Sequence, residues 1–185
     1  MSKVRLYLVR HGKTMFNTIG RAQGWSDTPL TAEGELGIHE LGIGLRESGL
    51  QFDRAYSSDS GRTIQTMGII LEELGLQGKI PYRMDKRIRE WCFGSFDGAY
   101  DGDLFMGLIP RIFNVDHVHQ LSYAELAEGL VEVDTAGWAE GWEKLSGRIK
   151  EGFEAIAKEM EEQGGGNALV VSHGMTIGTT VYLIN

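Results

Sequence analysis

This sequence predicts an α/β fold: a three-layer sandwich whose mostly parallel central sheet is flanked by helices, with a small loop or helical cap over the site. Three observations predict it. An apolar, strand-like run at residues 4–9 ends in Arg10-His11-Gly12-Lys13-Thr14. A second such run at 168–171 ends in Ser172-His173-Gly174-Met175-Thr176. Between them, apolar residues recur at helical spacing, as expected of helices packed on a parallel sheet. If both runs are parallel strands, both imidazoles emerge at the carboxyl edge, where open α/β sheets bind ligands.

The first strand is expected at 3–10, followed by a loop rich in Gly, Asp and Pro at 12–30. Thr31 starts a helix that reaches about Ser48 and stops at Gly49. A short buried strand at 54–57 follows. Ser58-Asp59-Ser60 then offer oxygens to cap a helix on which Ile64, Met67, Leu71 and Leu74 share a face, with Arg62 in its first turn. Gly75 and Gly78 end that helix, and 79–84 reads as a strand leading to Glu90. Residues 94–120 have the weakest pattern and read as loop or cap. Ser122 and Glu125 have capping-box spacing, with Leu121 and Leu126 as a hydrophobic staple, so a short helix starts there. From 136 to 163, Trp138, Trp142, Leu145, Ile149, Phe153, Ile156 and Met160 alternate steps of three and four along one face of a long amphipathic helix. Gly164-Gly165-Gly166 closes it.

The 185 residues fit one domain spanning 1–185, with a cap insertion around 94–135. Hydrophobic content of 42% and charged content of 24% are those of a globular chain, and no apolar stretch approaches the length of a membrane span. The first strand leaves no room for a secretory leader, and the single cysteine, Cys92, cannot form an internal disulfide, so cytoplasm is the expectation. A net charge of −8 argues against nucleic acid as partner, which needs clustered Lys and Arg. Any anion site must therefore be local.

Two histidines at one sheet edge with arginines nearby suit phosphoryl chemistry. Without a metal motif, that chemistry needs a nucleophile, fixed positive charge on the phosphoryl oxygens and a proton donor for the leaving oxygen. Neutral His11 can attack phosphorus and form a labile phosphohistidine. Arg10 and Arg62 can clamp the phosphoryl group, helped by the positive end of the helix that carries Arg62. His173 offers a fourth contact, and Gly12 and Gly174 let backbone N–H groups approach an anion.

Leu8-Val9-Arg10-His11-Gly12-Lys13-Thr14, then Asn17, Gln23-Gly24-Trp25 and Asp27-Thr28-Pro29-Leu30-Thr31, resemble the histidine phosphatase superfamily, also called the phosphoglycerate mutase-like family. Ala55-Tyr56-Ser57-Ser58-Asp59-Ser60-Gly61-Arg62-Thr63-Ile64-Gln65-Thr66, Arg89-Glu90 with Phe93-Gly94-Ser95-Phe96-Asp97-Gly98, and Val170-Val171-Ser172-His173-Gly174 extend the resemblance over most of the chain. It implies that His11 is phosphorylated, that Arg10, Asn17, Arg62 and His173 line the phosphate pocket with Gln23 and Gly24 beside it, and that Glu90 is general acid and then base. For Glu90 to deliver a proton, burial must raise its pKa against the lowering pull of the arginines. Lys13 stands where the family commonly has an acid and places a movable cation beside the site. Twelve residues follow His173, whereas relatives continue through another helix and strand, so a piece of the fold and of the pocket wall is expected to be missing.

The expectation is a metal-independent phosphomonoester hydrolase with no cofactor, acting on a small phosphorylated metabolite. Mutases of this type carry a proline-containing segment after the acid residue that grips a phosphoglycerate carboxylate, and 94–135 contains only Pro110. A cofactor-dependent phosphoglycerate mutase is the alternative within the enzyme class, and a phosphoryl-ligand binding module the alternative outside it. Other chemistry-bearing residues read as structural. His117 and His119 with Asp116 lack a further ligand cluster, and His39 falls on a solvated helix face. Cys92 as a nucleophile would need an arginine six positions on, where Gly98 stands. Asp101-Gly102-Asp103 follows no apolar strand, and an EF-hand begun at Asp97 has Leu108 at its twelfth position. Trp138 and Trp142 read as core anchors. Lys79, Arg83, Lys86, Arg87 and Arg89, interleaved with Asp85, read as a solvated face.

Overall fold

The computed structural model describes residues 3–184. Four strands, β1 (Val4–Arg10), β2 (Arg54–Ser57), β3 (Tyr82–Met84) and β4 (Gly166–Ser172), form one sheet in the order β1-β4-β2-β3, with every pairing parallel. Arg10 of β1 registers with Ser172 of β4, and the His11 N–H donates to the Ser172 carbonyl at 3.1 Å. The two His-Gly steps therefore leave adjacent strands at the same level.

Alternation along β4 splits the interior into two cores. Leu169 and Val171 face one side, where Ile38 of helix α2 (Ala32–Glu47) and Met67, Ile70 and Leu71 of α3 (Gly61–Glu73) cover them. Ala168 and Val170 face the other, covered by Leu126 and Leu130 of α5 (Tyr123–Val133) and by α6 (Trp142–Glu162). The short helices α1 (Met15–Thr18) and α4 (Ile109–Phe113) and the last helix, α7 (Gly174–Ile184), complete the chain. This is the expected sandwich. On α6, Leu145, Ile149, Phe153, Ile156 and Met160 are all buried, each worth roughly 1.5–3 kcal/mol of apolar transfer. The capping box at Ser122 and Glu125 forms with both of its bonds. No helix among the described residues is long and apolar enough to cross a membrane.

Four local expectations are corrected. The long helix begins at Trp142, and Trp138 is 70% exposed rather than a core anchor. The Asp134 carboxylate accepts the backbone N–H groups of Ser95, Ala136, Trp138 and Ala139, which commits that stretch to a turn. The strand expected at 79–84 is only Tyr82–Met84, because Gly75 and Gly78 adopt positive φ and the Lys79 N–H turns back to the Leu76 carbonyl. Within 94–120, Asp103–Leu108 forms a π-helical turn that runs into α4, driven by complete burial of Leu104 and Ile109. Ser60 caps α3 without a side-chain bond; its N–H donates to the Ser58 hydroxyl at 3.3 Å and its carbonyl accepts the Thr63 hydroxyl at 2.8 Å.

The expected basic face is resolved into separate pairs: Arg83 with Glu159, Arg87 with Asp85 and Glu151, and Arg89 with Asp59. His39 is half-solvated and pairs with Glu73 of α3 at 2.8 Å.

Candidate active site

A cavity of about 310 Å³ opens at the carboxyl edge of the sheet, lined by Arg10, His11, Asn17, Gln23, Glu90 and Gly174 among others. Five expected site residues thus converge from β1, the loop after it and the segment after β3. His11 is 8% exposed. Its Nδ1 lies 2.8 Å from the Gly12 carbonyl, which can only accept, so Nδ1 carries the proton and Nε2 the lone pair. Burial, then the Arg62 and Arg10 guanidiniums, hold the imidazole down at a pKa of about 4, so the ring is neutral at ordinary pH.

Glu90 is buried at the start of α7. Its Oε1 accepts the N–H groups of Trp91 and Thr176, both at 3.0 Å, and its Oε2 accepts the Met175 N–H at 3.1 Å. Those donors and Arg62 pull the carboxyl pKa down, yet desolvation is the larger effect and raises it above the ordinary value of 4.5. Whether burial or the arginines win is thereby decided for burial.

Arg62 and His173 are both fully buried and bonded to each other. Arg62 Nη1 donates to Asp27 at 2.8 Å and to the Ser26 carbonyl at 2.9 Å. Its Nη2 donates to the Gly24 carbonyl at 2.8 Å and to His173 Nδ1 at 2.9 Å. Nε is left as a buried donor with no partner. With Nδ1 accepting from Arg62, neutral His173 carries its proton on Nε2, which donates to the Ser58 hydroxyl at 2.7 Å. Burial and the neighbouring guanidiniums hold its pKa well below the usual value. The His11 and His173 rings nonetheless stand 5.3 Å apart, edge to face.

The loop after β1 is tied down by its own polar residues. Thr14 Oγ1 donates to Gln23 Oε1 at 2.6 Å and caps α1, while Asn17 Oδ1 takes the Thr14 N–H at 3.1 Å. Gln23 Nε2 donates to the Thr28 hydroxyl at 2.9 Å, so both ends of that amide are engaged. Gly24 does not line the cavity. Its N–H goes to Asp97 at 2.8 Å, and a side chain there would collide with the Trp91 carbonyl. Gly12 is likewise a packing glycine: its N–H goes to the Thr66 hydroxyl at 3.1 Å, and a Cβ would lie 2.8 Å from Ile38. Gly174 does line the cavity, where a Cβ would stand 3.4 Å from Arg10 Nε. The Arg10 side chain makes no hydrogen bond or ion pair among the described residues. Lys13 is drawn away from the site to Glu33 at 2.7 Å.

Several positioning residues were not found from sequence. Thr176 is the second threonine of the repeated His-Gly-x-Thr step. Its hydroxyl donates to the Arg89 carbonyl at 2.7 Å and lies 3.1 Å from Glu90 Oε1. The repeat was the available signal. Arg148, on the edge of the α6 apolar stripe, donates to the carbonyls of Arg87, Arg89 and Glu90 and pairs with Glu140, which is 3% exposed. A lone arginine beside an apolar face carried no such signal. Trp25 Nε1 donates to the Glu90 carbonyl at 3.0 Å, and the Arg89 guanidinium lies 5.0 Å from the Trp25 ring. His117 and His119 lie around a short turn in which Gln120 accepts the Asp116 and His117 N–H groups. Cys92 is buried, and burial pushes its thiol pKa up.

The sequence profile of the histidine phosphatase superfamily (branch 1) matches residues 6–184. The chain is 32% identical over 183 residues to the Salmonella choleraesuis protein named "Probable phosphoglycerate mutase GpmB", covering 98% of this chain and 74% of that one. It superposes on a phosphoglycerate mutase from Bacillus anthracis with a TM-score of 0.92 at 37% identity, covering 100% of this chain and 81% of that one. An Escherichia coli structure provisionally ascribed alpha-ribazole-5'-P phosphatase activity superposes with a TM-score of 0.70 at 25% identity, covering 99% and 80%. With these likenesses running from end to end of the sheet and through every segment that lines the cavity, the chain belongs to the histidine phosphatase superfamily.

Proposed function

We propose that this protein is a metal-independent phosphomonoester hydrolase that works through a phosphohistidine at His11 and acts on a small phosphorylated metabolite. One observation carries the reading: a neutral imidazole with its Nε2 lone pair free, and a carboxyl whose hold on a proton burial strengthens, share one cavity. In the first step His11 Nε2 attacks phosphorus as the ester P–O bond breaks, and the leaving oxygen takes the Glu90 proton. In the second, the Glu90 carboxylate takes a proton from water, whose oxygen attacks phosphorus. The N–P bond then breaks, leaving neutral His11, protonated Glu90 and free phosphate. Arg10, without a partner of its own, and the unpaired Nε of Arg62 supply positive charge for the phosphoryl oxygens.

The names carried by the Salmonella and Bacillus relatives favour a second reading, a phosphoglycerate mutase. A mutase must grip a carboxylate and a second phosphate. The cavity wall beyond the phosphate end offers one further cation, Arg21, already bonded to the Gly98 carbonyl and stacked on Tyr100, beside the carboxylate of Asp101. Release of inorganic phosphate from a generic aryl phosphate, lost in His11→Ala, is the expected result. Interconversion of phosphoglycerate isomers without phosphate release would replace hydrolysis by mutase activity. Tight binding with neither would leave the binding module.

A further inference from the structure

Two cavities share a wall. The catalytic cavity of about 310 Å³ and a larger one of about 640 Å³ both use Phe105 and Met175. The larger lies between the cap and α7, and its other walls are mainly apolar: Val118, Leu121, Tyr123 and Leu126, with His119 and Ser122 at its polar side. Its volume is in the range of small-molecule sites, roughly 300–1,000 Å³. Because Phe105 and Met175 line both cavities, a ligand in the catalytic cavity that reaches past these two side chains enters this space.

Charge along that route selects the kind of leaving group. Arg21 donates to the Gly98 carbonyl at 2.8 Å and lies 4.1 Å from the Tyr100 ring centre, so it is already committed. Asp101 stands on the same wall. A leaving group bearing a carboxylate or second phosphate would face that carboxylate without an uncommitted guanidinium, whereas an apolar one would cover Phe105 and Met175.

We propose that the cavity between the cap and α7 is the leaving-group subsite, and that the substrates are phosphate monoesters of apolar alkyl or aryl alcohols. This deepens the hydrolytic reading and rests on it. The test is kcat/KM for a series of n-alkyl phosphates from methyl to octyl, with 3-phosphoglycerate alongside. Wild-type kcat/KM should rise about threefold per methylene until the cavity is filled, as burial of one CH₂ allows. Val118→Asp should flatten that rise, read as the slope of log kcat/KM against chain length within the variant's own series. If that variant does not fold, Leu121→Ser reports the same slope. Phosphate release with a flat wild-type series, or a preference for 3-phosphoglycerate over hexyl phosphate, would overturn the subsite and leave hydrolysis standing. Release from none of the esters would remove both.

Discussion

The chain places the same four-residue step, His-Gly-x-Thr, at the ends of two neighbouring strands and puts the copies to different uses. His11 lines the cavity and keeps one ring nitrogen free, because the Gly12 carbonyl engages only Nδ1. His173 is fully buried, with Nδ1 held by Arg62 and Nε2 by Ser58. Thr14 braces the loop that carries Asn17 and Gln23, while Thr176 braces Glu90. A local motif thus specifies where an imidazole emerges, and its tertiary partners specify whether one of its ring nitrogens stays unengaged.

The comparison breaks most visibly if the two histidines are exchanged in importance. His11→Ala removes the nucleophile and is expected to lower kcat by about ten-thousand-fold or more, with no phosphoenzyme detected by intact mass. His173→Ala is expected to lower kcat by about a hundredfold while phosphohistidine still forms, because Arg62 loses one of its anchors. A folded His173→Ala protein as inactive as His11→Ala would mean that His173 itself touches the phosphoryl group, and the division of labour would fall.

Next in size is the clamp behind Glu90. Arg148→Met leaves Glu140 buried without its partner and frees three carbonyls, and should cost about 3–5 kcal/mol in a denaturant titration. If the clamp also positions Glu90, Arg148→Lys should recover part of kcat and of the alkaline limb of the pH profile, which a loss of stability alone would not move.

Acidity sharpens the comparison from another direction. Catalysis should fail as pH drops through about 4, where His11 gains a proton and loses its lone pair. Stability should fall over a higher window. Between 6.5 and about 4 the unfolded chain binds a proton that folded His11 refuses, a loss of roughly 3 kcal/mol as pH descends through that range. His173 acts in the same direction. Glu90 acts oppositely, since its folded pKa is raised and its contribution is lost as pH climbs above 4.5. Glu90→Gln should therefore steepen the acid loss of stability measured by thermal melts. A profile that stays flat from pH 6.5 to 4 would argue against two buried neutral histidines.

The smallest expected effect is Trp25→Phe. It removes one hydrogen bond to the Glu90 carbonyl, worth about 1 kcal/mol, and should change kcat by less than about tenfold.

Much of the frame is legible in the sequence. Apolar runs at 4–9 and 168–171 located β1 and β4, and the three-four spacing of Leu145, Ile149, Phe153, Ile156 and Met160 located α6. The same spacing overran at Trp138, because the stop there is made by Asp134 taking backbone N–H groups, a contact that periodicity does not encode. His11, Glu90 and Arg10 were readable as cavity residues from ordered motifs. That Gly24 and Gly12 serve packing was not readable, since the Trp91 carbonyl and Ile38 reach them from distant parts of the chain.

By itself, then, the sequence determined the layered α/β arrangement and the emergence of two imidazoles at one sheet edge, because strand and helix periods follow from local backbone geometry. Only the tertiary structure decided which imidazole keeps a ring nitrogen unengaged, why burial raises the Glu90 pKa and what lies beyond Phe105 and Met175. Those outcomes depend on burial and on partners such as Thr176, 86 residues from Glu90, and no local pattern records a contact of that separation.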